Sequence, residues 1–402
     1  MNFIDIFAGC GGLSEGFKQN PHYTMLGAVE WEKPQVNNLR KHLKNNYKMN
    51  DADERVIHFD IQRTEELING WDNDVEYDSH VGLDALIGDT NVDLIIGGPP
   101  CQAYSVAGRI RDGNGMRNDY RNFLFESYMK LVRHYQPNIF VFENVPGILS
   151  ARPNGETLVT DLIRDEIINS GYEIADDLKS FAQFDLSEYG VPQKRKRVII
   201  IGVRKGYKNN IQEALHQFYL DILPQYRENI RTVQDAISNL PSIIPAESDY
   251  ILNGKRYSHV FKNNIPNHIP RYHNRRDINT FKILCEDIEA GTNQYITTHA
   301  LKELYTKITG HKSNIHKYHV LRWNQPSNTI PAHLYKDGLR HIHPDSTQSR
   351  SITVREAARL QTFPDDYKFI SSLGDNYKMI GNAVPPLFAE KLASALVEFI
   401  NI

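Results

Sequence analysis

Four short stretches of this sequence hold residue types that do chemistry. The first is Gly97-Gly98-Pro99-Pro100-Cys101-Gln102, which follows the apolar run Leu94-Ile95-Ile96. Two prolines stiffen the turn, and the thiol after it is a nucleophile once ionised. An arbitrary cysteine is more often a small core filler; the strand-end position is what favours reactivity for Cys101. The second stretch, Phe140-Val141-Phe142-Glu143-Asn144-Val145, ends an apolar run on a carboxyl. Desolvation there is expected to raise the pKa of Glu143 so that it can carry a proton near neutrality. Taken singly, a glutamate so placed is more often a helix cap or half of an ion pair.

The third stretch, Gln193-Lys194-Arg195-Lys196-Arg197, precedes the apolar run 198–201. Alternation along a strand would point Arg195 and Arg197 to one face, although such a run by itself also reads as an exposed basic strand edge. The fourth is the glycine-rich turn Phe7-Ala8-Gly9-Cys10-Gly11-Gly12. Its glycines let the backbone approach a ligand closely, and Glu30, past the next apolar run, can accept hydrogen bonds from the two hydroxyls of a ribose. No Gly-Lys-Ser/Thr ending follows, which argues against a nucleoside triphosphate. Dinucleotide-dependent dehydrogenases share this layout. Beyond the cysteine, residues 105–121 combine Gly108, Gly113 and Gly115 with Arg109, Arg111, Arg117 and Arg121. That is the composition of a phosphate-seeking lid, or of a plain solvated loop.

These residues need elements to hold them. Short apolar runs at 3–7, 25–29, 56–59, 94–96, 139–142 and 198–202 predict strands, and residues 13–18, 123–134, 157–169 and 355–362 predict helices. Strand–helix alternation of this kind predicts an α/β fold, a doubly wound, mainly parallel sheet of Rossmann-like type. In such sheets the ligand lies outside the carboxyl ends of the strands. Position alone therefore nominates Phe7 with its glycines, Glu30, Asp60, Cys101 and Glu143.

From about residue 205 the texture becomes polar, aromatic and rich in histidine. The expected division is a catalytic and cofactor-binding part at 1–204, a smaller inserted domain at 205–335, and a returning catalytic part at 336–402. Thr353-Val354-Arg355-Glu356 has the spacing of a capping box at the start of a helix, and residues 387–400 are apolar at helical spacing.

With 402 residues, 40% hydrophobic and 24% charged, the chain is of ordinary globular composition. Neither a leader nor a membrane span is predicted, so a cytoplasmic protein is expected. Three cysteines are too few for a disulfide framework, and no Cys/His cluster has zinc spacing, so no metal is expected. The formal net charge of -3 argues against a polyanionic partner, but its distribution argues for one. Residues 51–93 are rich in acids, whereas 193–197 and 255–276 are basic, so one face can bind a polyanion.

In this order the four motifs resemble the cytosine-C5 DNA methyltransferase family of the bacterial restriction-modification type. The resemblance rests on Gly98-Pro99-Pro100-Cys101-Gln102 with Ser105, on Glu143-Asn144-Val145, and on Gln193, Arg195 and Arg197. Residues 350–361 and Gly381-Asn382-Ala383-Val384-Pro385 are similar to the two C-terminal motifs of the family. Tyr104 departs from it, standing where phenylalanine or tryptophan is usual, and the inserted domain matches no motif.

The resemblance implies S-adenosylmethionine as cofactor and S-adenosylhomocysteine as product. Phe7, Gly9, Gly11, Gly12, Glu30, Trp31, Asp60, Ile61, Pro100, Leu124, Asn382 and Val384 would surround the cofactor. It also implies double-stranded DNA as substrate, with Cys101 as nucleophile, Glu143 at the N3 edge of a flipped cytosine, and Arg197 with Arg195 at its O2 edge. Gln102, Ser105 and Arg109 would contact DNA near the target base. Arg256, Arg271, Arg275, Arg276, Lys312 and Lys317 of the inserted domain are available for phosphates and base edges. A monomer acting alongside a cognate restriction endonuclease is expected. A transfer-RNA cytosine methyltransferase would share the core, but the Cys-Phe-Thr signature of that branch is missing here. A dehydrogenase leaves Cys101, Glu143 and Arg197 without a role, and a non-catalytic DNA-binding protein would not need every catalytic residue type.

Overall fold

The computed structural model describes residues 1–99, 124–152, 157–262, 264–312, 318–336 and 338–402. Two compact units emerge. The first comprises Met1–Gly190, Arg195–Asn229 and Ala383–Ile402, and the second Val191–Lys194 and Ile230–Asn382.

The first unit is built on one sheet. Its strands are β1 (Asn2–Ile6), β2 (Thr24–Glu30), β3 (Val56–His58), β6 (Leu94–Gly97), β7 (Ile139–Asn144), β8 (Tyr172–Glu173), β9 (Gln183–Asp185) and β10 (Lys196–Arg204), and a hairpin of β4 (Trp71–Asp74) and β5 (Asp78–His80) stands apart from it. The order is β3-β2-β1-β6-β7-β10-β8, with β9 also on β10. Pairings among β3, β2, β1, β6 and β7 are parallel, whereas β10 runs antiparallel to β7, β8 and β9. Every residue of β7 is buried, as expected of a strand covered on both faces.

Each of the six predicted strand runs is a strand. The four predicted helices also form, as α1 (Gly12–Gln19), α3 (Leu124–Tyr135), α4 (Val159–Asn169) and α7 (Val354–Leu360); α2 (Lys33–Tyr47) lies between the first two. The apolar C-terminal stretch is α9 (Pro386–Asn401), laid on α1 so closely that a Cβ at Gly16 would meet the Glu390 amide at 2.4 Å.

In the second unit β11 (Ile244–Leu252) and β12 (Lys255–Val260) make a hairpin, accompanied by α5 (Arg275–Glu289), α6 (Thr298–Thr309), α7 and α8 (Leu373–Asn382). Phe281, Leu284 and Cys285 of α5 pack with Leu301, Leu304, Val320 and Ile342. The predicted capping box is present: the Thr353 side chain accepts from the Glu356 amide and the Glu356 side chain accepts from the Thr353 amide.

The compact units divide at other points than the expected 205 and 335. Residues 205–229 stay with the first unit because they pack on α9: the rings of Phe218 and Phe399 stand 5.4 Å apart, and Lys391 donates to the Tyr226 carbonyl at 3.0 Å. Residues 338–382 stay with the second. There Arg355, fully buried, donates to the carbonyls of Pro266 at 3.0 Å and Tyr367 at 2.8 Å. Those partners are distant in sequence, and composition carried no sign of them.

Candidate active site

Parallel pairing brings the carboxyl ends of β3, β2, β1, β6 and β7 to one edge of the sheet. Asp60, Glu30, the turn 7–12, the turn 97–99 and Glu143 therefore follow one another along that edge in strand order. Because β10 is antiparallel to β7, its beginning lies at the same edge. The register pairs Val198 with Asn144, which puts Arg197 one residue beyond the end of β7.

Glu143 and Arg197 meet there, with Arg197 Nε 2.6 Å from Glu143 Oε1 and both side chains largely buried. Of the readings open for Glu143, a desolvated acid or a helix cap or half of an ion pair, the geometry shows the ion pair. Asn144 ties this strand end to its neighbour: its Nδ2 donates to the Pro99 carbonyl at 3.4 Å, and its Oδ1 accepts from the Val145 amide at 2.9 Å. Beneath them the Tyr128 hydroxyl of α3 contacts the carbonyls of both Ile95 and Val141 at 3.1 and 3.0 Å. Tyr128 was missed by motif reading, since nothing on a helix announces which strand carbonyls it will reach.

A Cβ on Gly98 would lie 2.6 Å from Glu143 Oε2. Gly98→Ala is therefore expected to push the carboxylate aside and lower the single-turnover rate about 10²-fold, as displacements of around 1 Å do, with cofactor affinity unchanged in equilibrium titration. An unaltered rate would show that the carboxylate position does not matter.

Arg195 and Arg197 do not act on the same partner. Arg195, 1% exposed, precedes β10 and donates from Nη2 to the Ala383 carbonyl at 2.9 Å. Arg197 pairs with Glu143. The difference is one of strand start: β10 begins at Lys196, so the alternation assumed for both arginines does not extend back to 195. Gln193 belongs to the second unit, where its Oε1 accepts from the Ile330 amide at 2.9 Å.

The glycine turn has the backbone that its composition predicts. Phe7, Gly9 and Gly11 have φ of 64°, 59° and 84°, in the left-handed region that favours glycine. Glu30 is buried against it and accepts from the amides of Gly9 at 2.8 Å and Glu32 at 2.7 Å. Burial pushes its carboxyl up to about 7. Asp5, also unremarked in the sequence, lies buried under α1 and accepts from the Ser14 hydroxyl; burial raises it to about 7 as well.

Gly12 leaves no room for a side chain, because a Cβ would come within 2.3 Å of the Val384 carbonyl. This close approach delivers Val384 to the turn. Further along the edge, Trp31 is half exposed, and its carbonyl contacts His58 Nε2 at 2.9 Å. Asp60 accepts from the Gln62 amide at 3.0 Å, and Ile61 is buried, as is Leu124 at the start of α3. A left-handed glycine turn, buried Glu30, half-exposed Trp31 and half-buried Asp60 suit a nucleoside cofactor. Asn382 is an exposed residue at the end of α8 in the second unit. Pro100, Cys101, Gln102, Ser105 and Arg109 lie outside the described residues, as does Lys317.

The four arginines of the second unit that are expected to meet DNA have different surroundings. Arg271 donates to the carbonyls of Leu334, at 3.0 Å, and Tyr335. Its guanidinium holds the chain together rather than standing free for phosphates. Arg275 donates to the Ala246 carbonyl at 2.6 Å and faces Asp249 at 3.3 Å. Arg276 pairs with Asp277 at 3.0 Å. Arg256 pairs with Asp249 at 2.6 Å while its side chain stays 63% exposed.

A doubly wound sheet with a nucleoside-type edge and a carboxylate–guanidinium pair beside the Gly97–Pro99 turn fits an enzyme of the methyltransferase class. The chain belongs to the C-5 cytosine-specific DNA methylases, whose family description matches residues 1–398. It is a DNA cytosine-5-methyltransferase, and the family depends on S-adenosylmethionine.

Among its relatives, the type II methyltransferase M.Bpa9945I of Bacillus paralicheniformis is 32% identical, with 100% of this chain and 99% of that protein aligned. M.DdeI of Desulfomicrobium norvegicum, also a type II methyltransferase, is 31% identical over 98% of this chain and 88% of its own length. Among solved structures, a candidate DNA modification methyltransferase encoded within an E. coli prophage superimposes with a TM-score of 0.61 at 26% identity, covering 100% of both chains. The S. pombe Dnmt2 methyltransferase has the same fold, with a TM-score of 0.55 at 15% identity over 100% of both chains. Among the described residues no helix is long and apolar enough to cross a membrane.

Proposed function

We propose that this enzyme methylates C5 of one cytosine, flipped out of a short specific duplex sequence, through a covalent bond between Cys101 and C6 of the base. The observation that carries the reading is the meeting of Glu143 and Arg197 at the strand edge where the turn leading to Cys101 begins. A carboxyl and a guanidinium 2.6 Å apart match the adjoining N3 and O2 edges of a cytosine ring.

C5 of cytosine is a weak nucleophile. When the Cys101 thiolate adds to C6, the electron pair of the 5,6 double bond becomes available at C5. Glu143 then offers a proton or a charge-assisted hydrogen bond at N3, where charge accumulates, and Arg197 holds O2. The bound cofactor supplies a sulfonium methyl for C5. Loss of the C5 proton to a base and departure of Cys101 restore the aromatic ring. Arg195, by gripping Ala383, positions the start of β10 and with it Arg197. Phe7, Gly9, Gly11, Gly12, Glu30, Trp31, Asp60, Ile61, Pro100, Leu124 and Val384 would hold the cofactor, with Glu30 toward its ribose hydroxyls and Asp60 toward its adenine amino group. Gln102, Ser105 and Arg109 contact DNA beside the target, and the flip itself costs a few kcal/mol. The second unit, centred on residues 230–382, selects the sequence.

Likeness to type II methyltransferases supports the protective half of a restriction-modification pair. The protein then works as a cytoplasmic monomer whose cognate endonuclease shares its site without binding it. Incubation with labelled S-adenosylmethionine and mixed-sequence duplexes, followed by bisulfite sequencing, is expected to place label on one cytosine of one short sequence. Label absent from DNA, or found in transfer RNA alone, overturns the reading.

A further inference from the structure

In the second unit, β11 and β12 are joined by Asn253 and Gly254, which have φ of 50° and 74°. Two successive left-handed residues make the tight hairpin turn whose twist matches its strands. The pairs above it are Leu252 with Lys255, Ile251 with Arg256 and Tyr250 with Tyr257. Lower down, the hairpin is anchored: Tyr250 donates to the His259 carbonyl at 2.8 Å, and the rings of Tyr250 and Tyr257 stack 5.8 Å apart. The tip is not covered, for Ile251 is 75% exposed and Leu252 is exposed beside it.

Arg256 is exposed yet fixed. Its Nε and Nη2 both donate to Asp249 Oδ2, at 3.0 and 2.6 Å. The same oxygen accepts from the Tyr272 hydroxyl at 3.0 Å, and the guanidinium lies over the Tyr272 ring, 4.7 Å from its centroid. One edge of the guanidinium is thus spent on Asp249. Among the described residues no acceptor meets the outer edge, formed by Nη1 and the second hydrogen of Nη2, which keeps two donors side by side. Asp249 and Tyr272 remove the rotamer freedom that a surface arginine would otherwise lose on binding. A cation meant only to attract phosphates needs no such buttress.

We infer that the tip of this hairpin, residues 251–256, enters the major groove of the substrate duplex, where Arg256 reads a guanine through O6 and N7 and Ile251 packs on the neighbouring base pair. A two-stranded ribbon fits the width of that groove, and two parallel guanidinium donors match the two acceptors of guanine. Lys255 and Lys262, both exposed, supply positive charge for the flanking phosphates. The inference rests on the proposed role of the second unit in sequence selection and names the residues that carry it out.

The test uses the full-length enzyme on a duplex library randomised around the target, with methylated molecules identified by bisulfite sequencing. For Arg256→Ala, preference for guanine at one position is expected to fall about 10- to 100-fold, the worth of a bidentate arginine–guanine contact, while preferences elsewhere hold. Arg256→Lys, which keeps the charge but lacks the fork, is expected to relax the same position. Ile251→Ser, at an exposed tip where folding is not at stake, is expected to relax an adjacent position. Equal loss at every sequence, with a shallower salt dependence, would make Arg256 a phosphate contact and overturn the inference; an unchanged profile would overturn it too. Wild-type enzyme that methylates no duplex would instead sink the proposed function itself.

Discussion

Cys101→Ser is expected to abolish methyl transfer while leaving the binding of cofactor and duplex DNA near wild-type strength. A serine hydroxyl is not ionised near neutrality, and no adjoining base is proposed to activate it, so addition to C6 loses its nucleophile. The expected loss in turnover is at least ~10⁴-fold, as for removal of other catalytic nucleophiles. Gel-shift titration with cognate duplex separates the outcomes, because the substitution removes one sulfur and none of the groups proposed to hold cofactor or phosphates. Wild-type protein incubated with duplex carrying 5-fluorocytosine at the target should remain covalently joined through denaturation. With fluorine at C5 no proton is available for the final elimination. The serine variant should not be retained, and if it is retained, or if it turns over, Cys101 is not the nucleophile.

A second large effect is expected on acidification, and it separates the two units. His259, His273, His341 and His343 of the second unit are all buried, and burial pushes them down to about 4, 3, 4 and 3. Burial holds each of them neutral; it outweighs the contact of His259 Nε2 with the Gln348 carbonyl at 3.0 Å, which by itself favours the protonated ring, and it leaves His273 Nε2 against the Ser351 hydroxyl at 3.1 Å. Their folded-state values lie below the unfolded one near 6.5, so in the interval between them the unfolded chain binds more protons. Stability is then lost as pH falls below about 6.5, by roughly 2 kcal/mol per histidine at pH 5. Four such groups together rival the whole stability of a typical domain.

Glu356 adds to the effect lower down. Burial alone would raise its carboxyl, but the bidentate Arg350 guanidinium, 2.7 Å from both oxygens, holds it far below the usual carboxylate range. A carboxylate depressed in the folded state contributes stability above its unfolded pKa that is lost on further acidification. Asp5 and Glu30 of the first unit act in the opposite sense, for their raised values make the folded state the better proton binder between about 4 and 7.

The second unit is therefore expected to open first as pH falls from 7 to 5. Trp323 belongs to it, while Trp31 and Trp71 belong to the first. In a Trp31→Phe/Trp71→Phe protein, the Trp323 emission should shift to the red near pH 5 to 6. A Trp323→Phe protein should show no shift over that interval. Simultaneous shifts in both proteins would mean that the histidines do not set the order of unfolding.

Much of the catalytic unit was legible from residue order. Its strands are short apolar runs rich in Ile, Val and Phe, and its helices are amphipathic or capped, so local pattern and final fold agree. The rule that ligands gather at the carboxyl ends of parallel strands then brings Glu30, Asp60 and Glu143 to one edge from residue order alone. That rule is silent on β10. Antiparallel pairing with β7, and a strand start at Lys196 rather than earlier, give Glu143 to Arg197 and turn Arg195 toward Ala383.

The second unit was far less legible. Its core depends on buried polar contacts such as Arg355–Pro266 and His268–Thr353, each 3.0 Å apart, across 89 and 85 residues. Polar residues in such a core look like loop in a one-dimensional reading, because hydropathy cannot register a hydrogen bond whose partner is distant in the chain. For the same reason Arg256, Arg271, Arg275 and Arg276 were interchangeable as sequence and are not interchangeable in the fold.

Residue order by itself nominated a thiol, an acid and a glycine turn after successive predicted strands, local features that parallel topology aligns, and the resemblance of those motifs to the cytosine-C5 family named the reaction. The tertiary structure decided which guanidinium faces the acid, where the two units divide, and which arginine stands fixed but exposed. Those outcomes depend on strand direction, on register and on long-range hydrogen bonds, which become defined only when the chain is folded.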